Sequence, residues 1–175
     1  MDLFIGNWIV KSIGSISKFD LLKIKQNNEL VICFGEDSYW EEIHVFFVEH
    51  VENESQYCLV FYLESNVFPP HIVSNFNDNE LLIVHYNHLT LFNLKEKKTI
   101  FSYQSDSVIY FCKIHKNTIV LISEISVVQF KTNGEILISY DLYDVLESFK
   151  FENNSIFYKT MSGTNRYLLS DAENF

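Results

Sequence analysis

The chain has 175 residues, 47% of them apolar and 16% aromatic, with only five Gly and two Pro. Such a composition can bury one sizeable core and excludes a disordered or low-complexity chain. Thirteen Lys and Arg against twenty-three Asp and Glu give a formal charge of −10, which disfavours direct contact with nucleic acid because its phosphates would be repelled.

The first stretch, MDLFIGNWIVKSIGS, is apolar, but Asp2 stands where a secretory leader carries basic residues and Asn7 interrupts the run. Later apolar runs fall well short of the ~20 residues that a helix needs to cross a bilayer. A soluble, cytoplasmic protein without membrane contact is expected. The N-terminal part reads as strands over 4–13, 19–25, 29–34, 40–51 and 56–63. In WEEIHVFFVEHV (40–51) the β-branched and aromatic residues favour strand over helix. As a strand it puts Glu41, Ile43, Val45, Phe47 and Glu49 on one face and Glu42, His44, Phe46, Val48 and His50 on the other.

Charge is unevenly spread along this part. From Lys25 to Lys95 there is no intervening Lys or Arg, and the interval holds eleven acids; the rest holds thirteen basic and twelve acidic residues. Within the acidic interval, GEDSYWEEIHVFFVEHVENE (35–54) combines carboxylates with an amphipathic Tyr-Trp pair. A concentrated negative potential speeds encounter with a cationic partner, and aromatic side chains are enriched at interface hot spots. A solvated, solubilising face is the competing reading. Cys33, Cys58 and Cys112 each lie in an apolar run with no close pair spacing, so buried free thiols are expected, with no redox pair or metal site.

Pro69-Pro70 is the strongest punctuation in the chain, since proline cannot sit in a central strand. One domain, 1–175, is expected, with an internal seam near 66–71 between acidic N-terminal strands (1–68) and a repeating part (71–175). The repeat is visible as Asn79 opening NELLIVH, Asn117 opening NTIVLIS and Asn154 opening NSIFYKT, at intervals of 38 and 37 residues. Each unit reads as a meander of three strands: 80–85, 88–94 and 99–103, then 118–123, 126–131 and 135–140. Asn133-Gly134 predicts a type I′ hairpin turn, and DLYDVLESF (141–149) is the one segment read as a helix, with Asp141 as its N-cap. The fold class expected is all-β, with antiparallel meander units at a 37–38-residue period, partial propeller-like or stacked, and at most one short helix.

Strand-rich units of about 40 residues at fixed period resemble β-propeller blades, and QFKTNGEILISYDL is similar to the inner hairpin of a blade. No Trp-Asp pair closes a unit and no Gly-His opens one. Gly6-Asn7-Trp8 resembles the first strand of lipocalins and fatty-acid-binding proteins, which implies a closed barrel around an apolar ligand; Trp8 as an ordinary core residue is the alternative. His85 and His88 bracket a tight turn and could face each other, but no third metal ligand is suggested and a surface pair is expected. The glycines form no phosphate-cradling cluster, and no nucleophile or zinc motif occurs. An enzyme is therefore not expected, and neither a cofactor nor a metal.

In overall character the chain resembles immunity proteins of bacterial contact-dependent growth inhibition systems. The resemblance implies a monomer that binds and neutralises a basic toxin, such as a nuclease domain, through Glu36, Asp37, Tyr39, Trp40, Glu41, Glu42, Glu49, Glu52 and Glu54. A propeller-like scaffold and a lipocalin-like ligand-binding barrel are the alternatives.

Overall fold

The computed structural model describes residues 2–35, 42–53, 55–63, 69–74 and 77–169. The protein is all-β with one α-helix among the described residues, arranged as four sheets. Its contacts fall into two compact units: Met1–His71 with Asn75–Leu81 and Phe92–Lys98, and Ile72–Ser74 with Leu82–Leu91 and Thr99–Phe175.

In the first unit, β1 (Asp2–Ile5) and β2 (Trp8–Ile16) form a hairpin where the sequence suggests one strand over 4–13. The break is Gly6-Asn7. Gly6 takes φ +53°, and a Cβ there would approach the Asp78 Cβ to 2.5 Å, so the turn requires glycine. Next comes α1 (Lys18–Asn27), where a strand over 19–25 is expected. Ser17 explains the difference. Its hydroxyl accepts from the Asp20 N–H at 3.2 Å and contacts the Asp20 carboxylate at 2.6 Å, a local cap that starts a helix and outweighs the strand propensity of FDLLKIK.

Strands β3 (Val31–Phe34), β4 (Glu42–His50) and β5 (Gln56–Leu63) complete a five-stranded sheet in the order β1-β2-β4-β5-β3. All pairs are antiparallel except β3 with β5. The β5 sequence is almost continuously apolar because both its faces are covered. Cys58, Val60 and Tyr62 pack with Leu21 of α1 and with Ile43 and Val45. On the other face the Phe61 ring stacks on Phe34 at 4.6 Å, and the Tyr57 hydroxyl donates to the Leu94 carbonyl at 3.0 Å.

Trp8 is a core residue. Its ring lies edge-on to His50 at 4.6 Å, and its Nε1–H donates to the Asn79 side chain at 3.1 Å. The sheet has β1 and β3 as its edges and does not close, so the lipocalin-like barrel is not formed. Gly6-Asn7-Trp8 is a hairpin turn and the strand start after it. Cys58 and Cys112 are buried free thiols as expected, whereas Cys33 is exposed.

The repeating part supplies three sheets in chain order: β6 (His71–Ser74), β7 (Glu80–His85), β8 (His88–Asn93) and β9 (Lys98–Gln104); β10 (Ile109–His115), β11 (Thr118–Ser123), β12 (Ser126–Lys131) and β13 (Ile136–Asp141); and β14 (Leu146–Glu152), β15 (Ser155–Thr160) and β16 (Gly163–Leu168). Neighbours in each sheet are also neighbours in sequence, which makes each one a meander. Asn79, Asn117 and Asn154 each precede the second strand of a sheet, so the sequence period is the sheet period.

Two local expectations are corrected. Asn133-Gly134 is not a two-residue type I′ turn. Only Gly134 has positive φ (+88°), Lys131 and Glu135 are bridged by a backbone hydrogen bond of 2.8 Å, and the β12–β13 register shifts beside the turn. This is a longer loop relieved by a bulge. Residues 141–149 form no helix. Asp141 ends β13, and Leu146 already opens β14, because its N–H is taken by the Glu124 carbonyl at 2.9 Å.

Sheet β10–β13 is covered on both faces within the second unit. Phe130 meets Phe101 and Tyr103 of β9 at 6.0 and 4.8 Å. On the other face Val120, Ile122 and Val127 pack with Ile156, Tyr158 and Tyr167 of the next sheet, joined by Phe111, Phe149 and Phe151. Gly134 sits where a Cβ would lie 2.6 Å from the Phe101 ring, so this close packing also requires glycine.

Candidate interaction surface

One end of the sheets in the second unit is built from two hairpin turns and two linkers. The turns are Tyr86-Asn87 and Glu124-Ile125, and the linkers are Ser105–Val108 and Leu142–Val145. Each linker is laced to the turn before it. Ser105 and Ile109 N–H groups donate to the Asn87 and Tyr86 carbonyls at 2.8 and 2.9 Å, and the Asn87 side chain returns a bond to the Ser105 carbonyl at 3.0 Å. In the next repeat Leu142 and Leu146 donate to the Ile125 and Glu124 carbonyls at 2.8 and 2.9 Å, while Glu124 N–H reaches the Val108 carbonyl. Satisfied backbone groups hold this rim in one shape.

What the rim presents is aromatic and acidic. Tyr143 is 91% exposed and Tyr86 40%, both at positive φ, with Ile125 and Val145 also exposed. Asp106, Glu124, Asp141 and Asp144 lie on the same four segments or at their ends, which contain no Lys or Arg. None of the four pairs with a cation among the described residues. Their field is felt nearby: the Tyr103 hydroxyl is held above its ordinary range, by burial first and then by Asp106 and Asp141.

His85 and His88 flank the Tyr86-Asn87 turn with rings parallel within 10° and 4.9 Å apart. They are not the surface pair expected, since His85 is only 7% exposed. Burial, and secondarily the neighbouring His88, pushes the His85 imidazolium down to about 4. Both rings are therefore neutral near pH 7. Among the described residues no three His, Cys, Asp or Glu gather in a metal-binding group.

Of the residues singled out in the acidic segment, Glu36, Asp37, Tyr39, Trp40, Glu41 and Glu54 lie outside the described residues. Glu42 and Glu49 are both on β4, which pairs with β5 without a register shift. Seven residues apart, they point to opposite faces and stand about 23 Å apart along the strand. Glu49 receives the Lys11 ammonium at 2.5 Å and Gln56 at 3.2 Å, which holds its carboxyl below the usual range. Glu42 lies 3.4 Å from His44, and Glu52 is exposed in the turn after β4.

The rim was not visible as a cluster in the sequence, because its carboxylates are scattered through the part whose charges nearly balance. Only the 37–38-residue period hinted at it, since residues one period apart return to the same end of successive sheets.

No family model matches the chain, and no curated protein matches it. Similar solved structures include Hsv2 from Kluyveromyces lactis, at 12% identity and a TM-score of 0.47 over 75% of this chain and 42% of that one. BamB from Moraxella catarrhalis is similar at 11% identity and a TM-score of 0.45 over 76% and 40%. A chain of the mitotic checkpoint complex is similar at 4% identity and a TM-score of 0.49 over 79% and 46%. This chain spans less than half the length of each. The expectation of a toxin-neutralising immunity protein is corrected by these findings: the similar structures are β-propeller proteins and not immunity proteins, and the described carboxylates Glu42 and Glu49 share no face.

Proposed function

We propose that the protein is a propeller-like scaffold that engages a protein partner through the acidic, tyrosine-bearing rim of its second unit. The observation that carries the reading is the rim itself. Two exposed tyrosines and four carboxylates unpaired among the described residues are held by a backbone lattice at one end of consecutive meanders. Exposed amphipathic aromatics within a polar surround are what anchors at protein interfaces look like, and loops fixed by a rigid sheet scaffold commonly carry binding. No reaction is assigned to the rim, and among the described residues no helix is long and apolar enough to cross a membrane.

The test is affinity capture from the native host with quantitative mass spectrometry, comparing the wild-type chain with the Tyr86→Ala/Tyr143→Ala double variant. Loss of most of the recovery of a defined set of proteins is expected, with an unchanged thermal midpoint because both side chains face solvent. An identical set at equal recovery removes the rim from the reading.

A further inference from the structure

We propose that the rim seats an arginine side chain from a basic segment of the partner, laid against Tyr140 and Tyr143 with Asp141 and Asp144 beside it. This deepens the reading of the rim as an interaction surface and rests on it. The Tyr140 and Tyr143 rings lie 6.5 Å apart at 89°, so together they offer both an aromatic face and an aromatic edge to an incoming group. Tyr140 is fixed from within the unit: buried Tyr158 and Tyr167 meet its ring at 6.1 and 5.8 Å. The exposed Tyr143 adds an open ring at little further ordering cost, since an aromatic side chain has only two rotatable angles.

The charge around this corner selects the ligand. Asp141 follows Tyr140 directly, and Asp144 is anchored by accepting the Val145 N–H at 2.8 Å. Tyr167 lies beneath this corner, its ring against Tyr140, and its buried hydroxyl has no hydrogen-bond partner among the described residues. A cation is drawn both to the ring faces and to the carboxylates. Guanidinium fits this combination better than ammonium, because it is planar, weakly hydrated and able to stack while donating sideways to carboxylates. Phosphate-bearing ligands are disfavoured by the four acids of the rim.

The probe is a fluorescein-labelled peptide of alternating Gly and Arg, blocked at both ends, titrated against the full chain and followed by anisotropy, with the Gly-Lys peptide of equal charge alongside. Binding of the Arg peptide is expected to exceed that of the Lys peptide and to weaken with salt. It should fall about fivefold or more in Tyr143→Ala, a variant that leaves the net charge unchanged, and also in Asp144→Asn, while Tyr143→Phe retains it. Absence of binding, equal binding of the two peptides, or binding unaffected by Tyr143→Ala overturns the inference. If the peptides fail in this way while the Tyr86→Ala/Tyr143→Ala variant still sheds protein partners, the rim reading stands and the arginine seat falls.

Discussion

Sheets β10–β13 and β14–β16 are successive copies of one plan, yet they treat the same positions in opposite ways. Counting 37 residues forward, Thr118, Val120, Ile122, Val127 and Gln129 become Ser155, Phe157, Lys159, Thr164 and Arg166. A shared contact shows that the alignment is physical. Gln129 donates from Nε2 to the Thr118 hydroxyl at 2.8 Å, and Arg166 donates from Nε and Nη2 to the Ser155 hydroxyl at 2.9 and 2.8 Å. In the first sheet this face is wholly buried against its neighbour. In the second, Lys159, Thr164 and Arg166 are exposed, and Lys150 and Arg166 lie on either side of the Phe157 ring.

The difference teaches which face of a repeat is meant for stacking. Where a sheet must pack on another, Ile122 and Val127 fill the positions; where it meets solvent, Lys159 and Thr164 stand in their place, Phe157 is flanked by cationic side chains, and the hydrogen bond to the strand start is kept.

Placing the outer-face residue in the inner sheet breaks the comparison most severely. Ile122→Lys buries an unpaired ammonium and is expected to cost about 4 kcal/mol or more, whereas Lys159→Ile stays within about 0.5 kcal/mol apart from its lost pair with Glu147. Denaturant titration of the full chain measures both, and near-equal costs would mean the two faces are not distinguished by burial.

Acid sharpens the contrast between hairpins. The residues flanking the β7–β8 turn are His85 and His88; their counterparts across β11–β12 are Ser123 and Ser126, joined hydroxyl to hydroxyl at 2.7 Å. His85 is buried neutral, with its folded value near 4 against 6.5 unfolded. The unfolded chain therefore takes up the proton first. The stability this group confers is complete above pH 6.5 and lost as pH falls towards 4, by about 3 kcal/mol. His85→Ser should flatten that part of the pH profile; an unaltered profile would place the dependence elsewhere.

Smaller effects follow from single deletions. Val127→Ala leaves a cavity in a closed core and is expected to cost about 2 kcal/mol, while Thr164→Ala at the matching exposed site changes stability by less than about 0.5 kcal/mol. Gln129→Leu removes the bond to the Thr118 hydroxyl, a contact worth about 1 kcal/mol, while the Thr118 hydroxyl still donates to the His115 carbonyl at 2.8 Å. Thermal midpoints of the three variants order these costs.

The meanders were legible in the sequence because apolar runs of strand length, short polar turns and a repeat of fixed length all point the same way. QYCLVFYL matches β5 residue for residue. The failures came where a local signal outranked apolar pattern: a Ser-x-x-Asp cap made 18–27 helical, and hydrogen bonds to the preceding hairpin kept 141–149 extended. The rim was hidden in the sequence for a related reason, since nearness along the chain is a poor guide to nearness in space: a strand sends carboxylates such as Glu42 and Glu49 to opposite faces, and a repeat brings distant ones such as Asp106 and Asp144 to the same end.

The turns between paired strands carry a consequence for how the chain can change. Gly6-Asn7, Lys116-Asn117 and Asn153-Asn154 each place positive φ on the first residue and asparagine on the second, between strands paired in the same way. Splicing Lys116 directly to Asn154 would recreate a turn of this kind and drop one whole sheet. Gain or loss of length by recombination therefore comes in steps of a complete module, with no strand left out of step.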